Sequence, residues 1–454
     1  MSDAPLFAHL ALLAIVPFAW YAYRSRPTLK ASLWVFFGAV LFGPEHAYFK
    51  LPALPPFTKQ TIPLICVLVA VWFRSPDVVR NARPFRGLDL LALLPVATAL
   101  ATAATNTDEL QFGVVSRTFC QAMSITDGIA LGLTFAFNIW LPFFIGRMLV
   151  RDGRDVRTLL TTLATFGVVY APLMLYEMRF SPQLHRMVYG YMAHPDFLQT
   201  MRWGGYRPMV FMEHGLAVAL FAFVAWSASL AMTRDGTPKI TWWRARWVTF
   251  GLAAMVVFSK STGAIGYMLL CLLPLARFKP RALLRFATIG ATLVMLYPFL
   301  RATDLFPTME LYDFFAKNVS QDRADSLLFR FSNEDMLLDR ARERVLWGWG
   351  YYGRNLVYER MTGKMISVTD GYWIIIFGMA GSVAFVAAFG TLLTPVYTAL
   401  GRLKRLPTQD HVLVSSLALI VSIVVIDLVP NGLYSVYPYF LSGALWGYTS
   451  RAAR

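Results

Sequence analysis

The 454-residue chain is poor in charge, cysteine and histidine, and each scarcity closes off a class of protein. Only 15% of its residues are Asp, Glu, Lys or Arg, against ~25% in soluble domains, so a solvated globule is not expected. Its three cysteines, Cys66, Cys120 and Cys271, are scattered in or near apolar runs and offer neither a disulfide framework nor a thiolate metal motif. No HExxH, CxxC, P-loop or GxSxG stretch occurs, which leaves metallopeptidase, nucleotide and serine-hydrolase chemistry without a motif. The first apolar run lacks a basic n-region and a small-residue cleavage site, so it reads as a span rather than a signal peptide. There is no internal repeat or low-complexity run.

Apolar residues are what the chain has in quantity: 57% of the total, with a mean hydropathy of +0.51. A helix needs about 17–25 such residues to cross a bilayer. About thirteen candidate spans follow, near 5–23, 31–44, 60–73, 88–105, 129–147, 158–176, 209–232, 247–259, 262–276, 286–300, 371–399, 411–429 and 434–450. The pair around Ser259 is tight enough to be one long broken helix, so the expected fold is an all-α bundle of about 12–14 spans.

The net charge of +16 has a topological origin. Alternating the spans from a cytoplasmic segment holding Arg24, Arg26 and Lys30 puts 24 of the 42 Lys and Arg on that side, ending with Arg451 and Arg454. Only about six acids join them, giving about +18 inside and about −2 outside. The positive-inside bias thus accounts for the basic excess, and nucleic acid is not needed to explain it. The N-terminus is then outside, and so is the long polar segment from about 301 to 370, which in a bacterium means the periplasm. The whole chain, 1–454, reads as a single integral membrane domain with that loop inside it.

Ionisable residues gather at the outer mouth of this bundle. The large loop contains "DSLLFRFSNEDMLLDRARERVL", apolar at helical spacing, which predicts one or two amphipathic helices. Arg340, Arg342 and Arg344 read as a solvated face paired with neighbouring acids. Arg330 falls inside the apolar "LLFRF", where it either snorkels or holds a buried anion. The following "WGWGYYG" allows turns or close backbone approach, and its aromatics suit an interface or a sugar face. In "GGYRPMVFMEHGLAVALF", Arg207 stands at a span's outer end with Glu213 and His214 one to two turns deeper. Their plain alternative is a local Glu213–Arg207 pair tethering the helix end. Lys260, in "FSKSTGAIG", is either an exposed hairpin tip or part of an anion cradle. Asp370, before "GYWIII", reads first as a helix N-cap, which is compatible with work as a general base. Together these are cations able to hold a diphosphate and carboxylates able to take a proton.

Four stretches resemble the bacterial O-antigen ligase/polymerase family, which includes exopolysaccharide polymerases: "YRPMVFMEHGLAVAL", "FSKSTGAIGYMLL", "SLLFRF" with "RVLWGWGYYGRN", and "SVTDGYWIIIFGMAGSVAFVAAF". Their order and spacing agree from about residue 200 to 390, while the first half agrees only as a set of spans. The resemblance implies a GT-C-like glycosyltransferase of the bacterial inner membrane. It would use glycans on undecaprenyl diphosphate, with inversion and with neither metal nor cofactor. Its partners would be the lipid-linked donor, a glycan acceptor and membrane lipid. Other polysaccharide-assembly proteins are candidate partners as well. Carried over, Arg207 and Arg330, helped by Lys260, hold the diphosphate, and Asp370 lies where ligases carry a catalytic histidine. This chain departs in having Lys260 for the usual Arg, Glu213-His214 for Pro-Asn, and no histidine between His214 and His411. The missing loop histidine favours a polymerase over a lipid A-core ligase and leaves the base open among Asp370, Glu213 and His214. A ligase with a lipid or protein acceptor is the alternative. A transporter or flippase is the alternative of another class, but it would place charge near the midplane, often in repeated halves.

Overall fold

The computed structural model describes residues 4–51, 54–433 and 435–451; Tyr434, where the last expected span begins, and Arg454 lie outside the described residues. The chain is 70% helical with almost no sheet. Its principal helices are α1 (Leu6–Ser25), α2 (Thr28–Phe42), α3 (Thr61–Arg74), α4 (Leu88–Ala104), α5 (Ile125–Leu149), α6 (Gly153–Phe180), α7 (Gly215–Arg234), α8 (Ala245–Phe258), α9 (Thr262–Arg277), α10 (Pro280–Ala302), α11 (Thr308–Asn318), α12 (Gln321–Arg342), α13 (Tyr372–Arg402), α14 (His411–Asp427) and α15 (Tyr437–Arg451).

Each expected span has a helical counterpart, but their lengths differ. Among the described residues seven helices are long and apolar enough to cross a membrane: α1, α5, α6, α7, α10, α13 and α14. An eighth crossing needs α3 together with Pro76–Ala82, a pair bent by 108°. Helices α2, α4, α8 and α9 are apolar but shorter. The twelve to fourteen expected crossings are therefore seven or eight by length, with shorter apolar helices between them. The chain is a multi-pass, all-α membrane protein.

Helices α7 and α14 form the middle of the bundle; 83% and 72% of their most apolar stretches are buried. A helix that is apolar all round needs protein or lipid around it, and protein covers α7, which packs on α6, α8, α9 and α14. Helices α5 and α15 approach unusually closely because small residues face each other. A Cβ on Gly146 would meet the Phe440 carbonyl at 2.1 Å, and one on Gly443 would meet the Phe143 carbonyl at 2.0 Å.

The arginine-rich connections meet at one end. Arg147, closing α5, pairs with Asp89 of α4 at 2.6 Å, and Arg151 donates to the Val78 carbonyl. Arg402, closing α13, donates to Thr449 of α15. The long polar segment lies at the other end of α13. It folds as α11 and α12 followed by irregular chain, and α12 buries Phe331, Leu337 and Leu338. Glu334 anchors it by accepting from Trp373 Nε1 and the Tyr297 hydroxyl. Of the three arginines expected on a solvated face, Arg342 fits, pairing with Asp339 in the open. Arg340 pairs with Glu343 but is mostly buried, stacked on Trp349 and donating to the Arg354 carbonyl, and Arg344 reaches Asp108 of another segment at 3.5 Å.

Candidate functional site

A polar cavity of about 410 Å³ opens where four chain segments meet: the approach to α7, the N-terminal half of α12, the approach to α13 and the α14–α15 connection. Arg207, Glu213, His214, Arg330 and Asp370 all line it. Five of the six residues singled out from sequence thus share one pocket. Lys260 does not line it. Its ammonium donates to the Arg202 carbonyl at 3.1 Å, while its own carbonyl accepts from Arg207 Nη2 at 3.2 Å. Lys260 pins the Met201–Arg202/Gly205–Tyr206 hairpin against the α8–α9 turn, where it adopts a left-handed φ of +54°.

The expected span from 209 is shorter than expected, because Met209 to His214 precede the helix rather than begin it. Their backbone donors are taken by side chains of another helix. The Glu177 carboxylate accepts from the N–H groups of Met209 and Val210, and the Tyr170 hydroxyl accepts from Phe211. Val210 turns the chain with φ of +52°. Glu213 and His214 therefore sit on a braced connector beside the cavity, not one to two turns inside a helix.

His214 caps α7. Its Nδ1 accepts from the Leu216 N–H at 3.1 Å, so in the neutral ring the proton is on Nε2, which donates to Gln199 Oε1 at 3.0 Å. Burial, then the positive charges of Arg207 and its neighbours, push the imidazole down to about 4. Both nitrogens are committed, which leaves His214 no lone pair for a substrate proton. Glu213 differs. Burial and then the nearby Glu45 push its carboxyl up, toward the neutral form. Its backbone N–H is held by Glu45, itself paired with Lys59 at 2.7 Å.

Asp370 is not the helix cap. Gly371 occupies the cap position of α13, without a side-chain cap bond. The first backbone donor, Tyr372 N–H, is satisfied by the Leu428 carbonyl instead. The Asp370 carboxylate faces Arg330, with Oδ2 3.7 Å from Nε, and both side chains are about one-third exposed. Arg330 also donates to the Pro430 carbonyl and to Asn431 Oδ1.

The sequence reading missed two further cavity arginines, Arg202 and Arg323. Arg323, Ser326 and Arg330 fall at i, i+3 and i+7, one face of α12. That spacing was the available signal for Arg323. Arg202 had none, because a two-residue strand pair brings it in. Four guanidiniums thus line one cavity against Asp370 and a carboxyl biased toward neutrality. Arg207 is only 4% exposed, its Nε lacks a hydrogen-bond partner, and it makes no ion pair among the described residues. Arg202 Nε is likewise buried without a partner. Burial and then the cations Arg202, Arg323 and Arg330 hold Arg207 down to about 10. Such a site is short of negative charge, and a bidentate oxyanion supplies it. Among the described residues no three His, Cys, Asp or Glu side chains converge as a metal site would need.

No family model matches this chain, and no curated protein matches it in sequence.

Proposed function

We propose that the chain is a GT-C-like polysaccharide polymerase of the bacterial inner membrane, with this cavity facing the periplasm. It would transfer a growing glycan from undecaprenyl diphosphate to a hydroxyl of a second lipid-linked repeat unit. The observation that carries this reading is the buried, unneutralised Arg207 within a cluster of four arginines, beside a carboxylate at the cavity rim. In this reading Arg202, Arg207, Arg323 and Arg330 bind the diphosphate and stabilise the charge that grows on it as it leaves. The diphosphate competes with Asp370 for Arg330 and so frees the carboxylate. Asp370 then takes the proton of the acceptor hydroxyl. The hydroxyl oxygen attacks the anomeric carbon from the face opposite the diphosphate, the carbon–oxygen bond to phosphate breaks, and configuration inverts. The proton passes from Asp370 to solvent. No metal enters the proposed step, because the guanidiniums carry the counter-charge.

The test is synthesis by the purified chain given lipid-linked repeat units alone, with products separated by size. A ladder from wild type that is lost in Arg330→Ala and cut at least a hundredfold in Asp370→Asn is the expected result. Survival of the ladder in Asp370→Asn with loss in Glu213→Gln would move the base to Glu213. Folded wild-type protein that makes no ladder from competent substrate would sink the polymerase reading, and transfer to a lipid or protein acceptor would be assayed next.

A further inference from the structure

A second, larger cavity of different character lies at the same end of the bundle. It measures about 690 Å³, within the range of ligand sites, and Tyr351, Tyr352, Asp127, Thr126, Thr134 and Lys50 line it. We infer that this cavity is a saccharide subsite that holds part of the glycan away from the diphosphate pocket. The choice of glycan as ligand rests on the function proposed above; the cavity's chemistry does not.

Placement is the first argument. One connection between α2 and α3 serves both cavities. Its Glu45 accepts from the Glu213 N–H beside the arginine pocket, and its Lys50, Leu54, Pro55 and Pro56 line the second cavity. Asp127 opens α5, at the opposite end of that helix from Arg147 and the arginine-rich connections.

The lining is the second argument. A pyranose has an apolar C–H face and a rim of hydroxyls, so it asks for an aromatic face bordered by hydrogen-bonding groups. Tyr352 is 44% exposed, and its hydroxyl donates to Asp127 Oδ1 at 2.6 Å. The other oxygen, Oδ2, is committed to the capping box at the start of α5, accepting from Ser124 N–H and Oγ. Asp127 therefore orients Tyr352 and keeps acceptor capacity on Oδ1. Thr126, Ala130 and Thr134 recur every four residues along one face of α5, and Thr134 Oγ1 lies 3.2 Å from the Tyr351 hydroxyl. The lining carries one acid and one base, which fits a neutral ligand, whereas the arginine pocket fits an anion.

The third argument is conformational. Tyr352 has φ of +64°, a left-handed conformation that a bulky residue rarely adopts. The turn that holds it there is fixed from below. Trp349 and Gly350 donate to the Gly378 and Met379 carbonyls, and a Cβ on Gly350 would meet Met123 Sδ at 1.9 Å. Glycine would relieve the strain at position 352, but tyrosine stands there with its ring half in solvent.

The test uses the phosphate-free oligosaccharide released by mild acid from the producing cells' own lipid-linked repeat units. It is titrated into the purified full chain by calorimetry. Binding to wild type is expected, with affinity at least about tenfold lower in Tyr352→Ala and Tyr352→Gly and unchanged in Arg330→Ala. The thermal midpoint of Tyr352→Gly should be no lower than that of wild type. No binding to wild type, or equal binding in Tyr352→Ala, would overturn the subsite. So would loss in Arg330→Ala, which would put the glycan in the arginine pocket instead. Inorganic diphosphate titrated into the same preparations reads the arginine pocket separately. A wild type that binds oligosaccharide but makes no polymer would defeat the polymerase reading and leave the subsite standing.

Discussion

A buried side chain is informative when the charge around it does not balance. Arg207 is nearly inaccessible and makes no ion pair among the described residues, and besides its burial the charges that bear on it are those of other arginines. His214 gives its burial, and then the same field, a thermodynamic readout. Its imidazole is held down to about 4 in the folded protein, below its ordinary 6.5. Between those values the unfolded chain binds more protons than the folded one, so stability is fully present above about pH 6.5 and is lost as the pH falls toward 4. We expect the thermal midpoint in detergent to fall by several degrees between pH 7 and pH 5. His214→Asn, which keeps an N-capping side chain but cannot titrate, should make that fall smaller. An equal fall in the variant would assign the pH dependence to other groups.

Helices deliver these residues, and helix starts decide the geometry. A Cβ on Gly215, the first residue of α7, would meet Arg207 Cδ at 2.2 Å. Gly215→Ala should therefore displace the Arg207 side chain without harming the helix, since alanine is the better helix former. Affinity for inorganic diphosphate should fall at least about tenfold in protein that still unfolds cooperatively, read by calorimetry and a melting curve. Unchanged affinity would mean that Arg207 is not a ligand. The same scale marks how far the sequence could be read. Apolar runs located every main helix in the membrane part because hydropathy is a local property. The start of α7 was misread because Glu177 and Tyr170, distant in sequence, take the N–H groups of Met209, Val210 and Phe211. Asp370 was misread as a cap because the Leu428 carbonyl does that work from another helix. Arg207, Glu213, His214, Arg330 and Asp370 were legible since charge beside an apolar run is conspicuous. Arg202 and Arg323 stand in polar stretches without that contrast; only the helical spacing of Arg323 with Arg330 marks it, and tertiary structure brings Arg202 in.

For the molecule as a whole, the charge distribution predicts an orientation. In a cysteine-free background, a membrane-impermeant maleimide added to intact spheroplasts should label Thr303→Cys, at the end with the long polar segment, and spare Asn81→Cys, at the arginine-rich end. The reverse pattern would turn the arginine cavity toward the cytoplasm and defeat a periplasmic transferase. The two cavities lie at one end, joined by the connection between α2 and α3, so under the proposed function a glycan anchored by its diphosphate in one would have a defined direction toward the other.

The short helices have a consequence for the lipid. Helices α8 and α9 have 14 and 16 residues, about 21 and 24 Å of helix at 1.5 Å per residue, against a hydrocarbon layer of about 30 Å. They meet at the turn that holds Lys260 against Arg202 and Arg207. If this pair crosses the bilayer, thinning of the lipid would relieve its hydrophobic mismatch. The membrane surface would then dip beside the arginines, so that an amphiphile diffusing in the leaflet meets them at headgroup depth without leaving its lipid neighbours. Under the proposed function, bilayer thickness would in this way set the access of a lipid-linked substrate, and a thick, sterol-like membrane would oppose it.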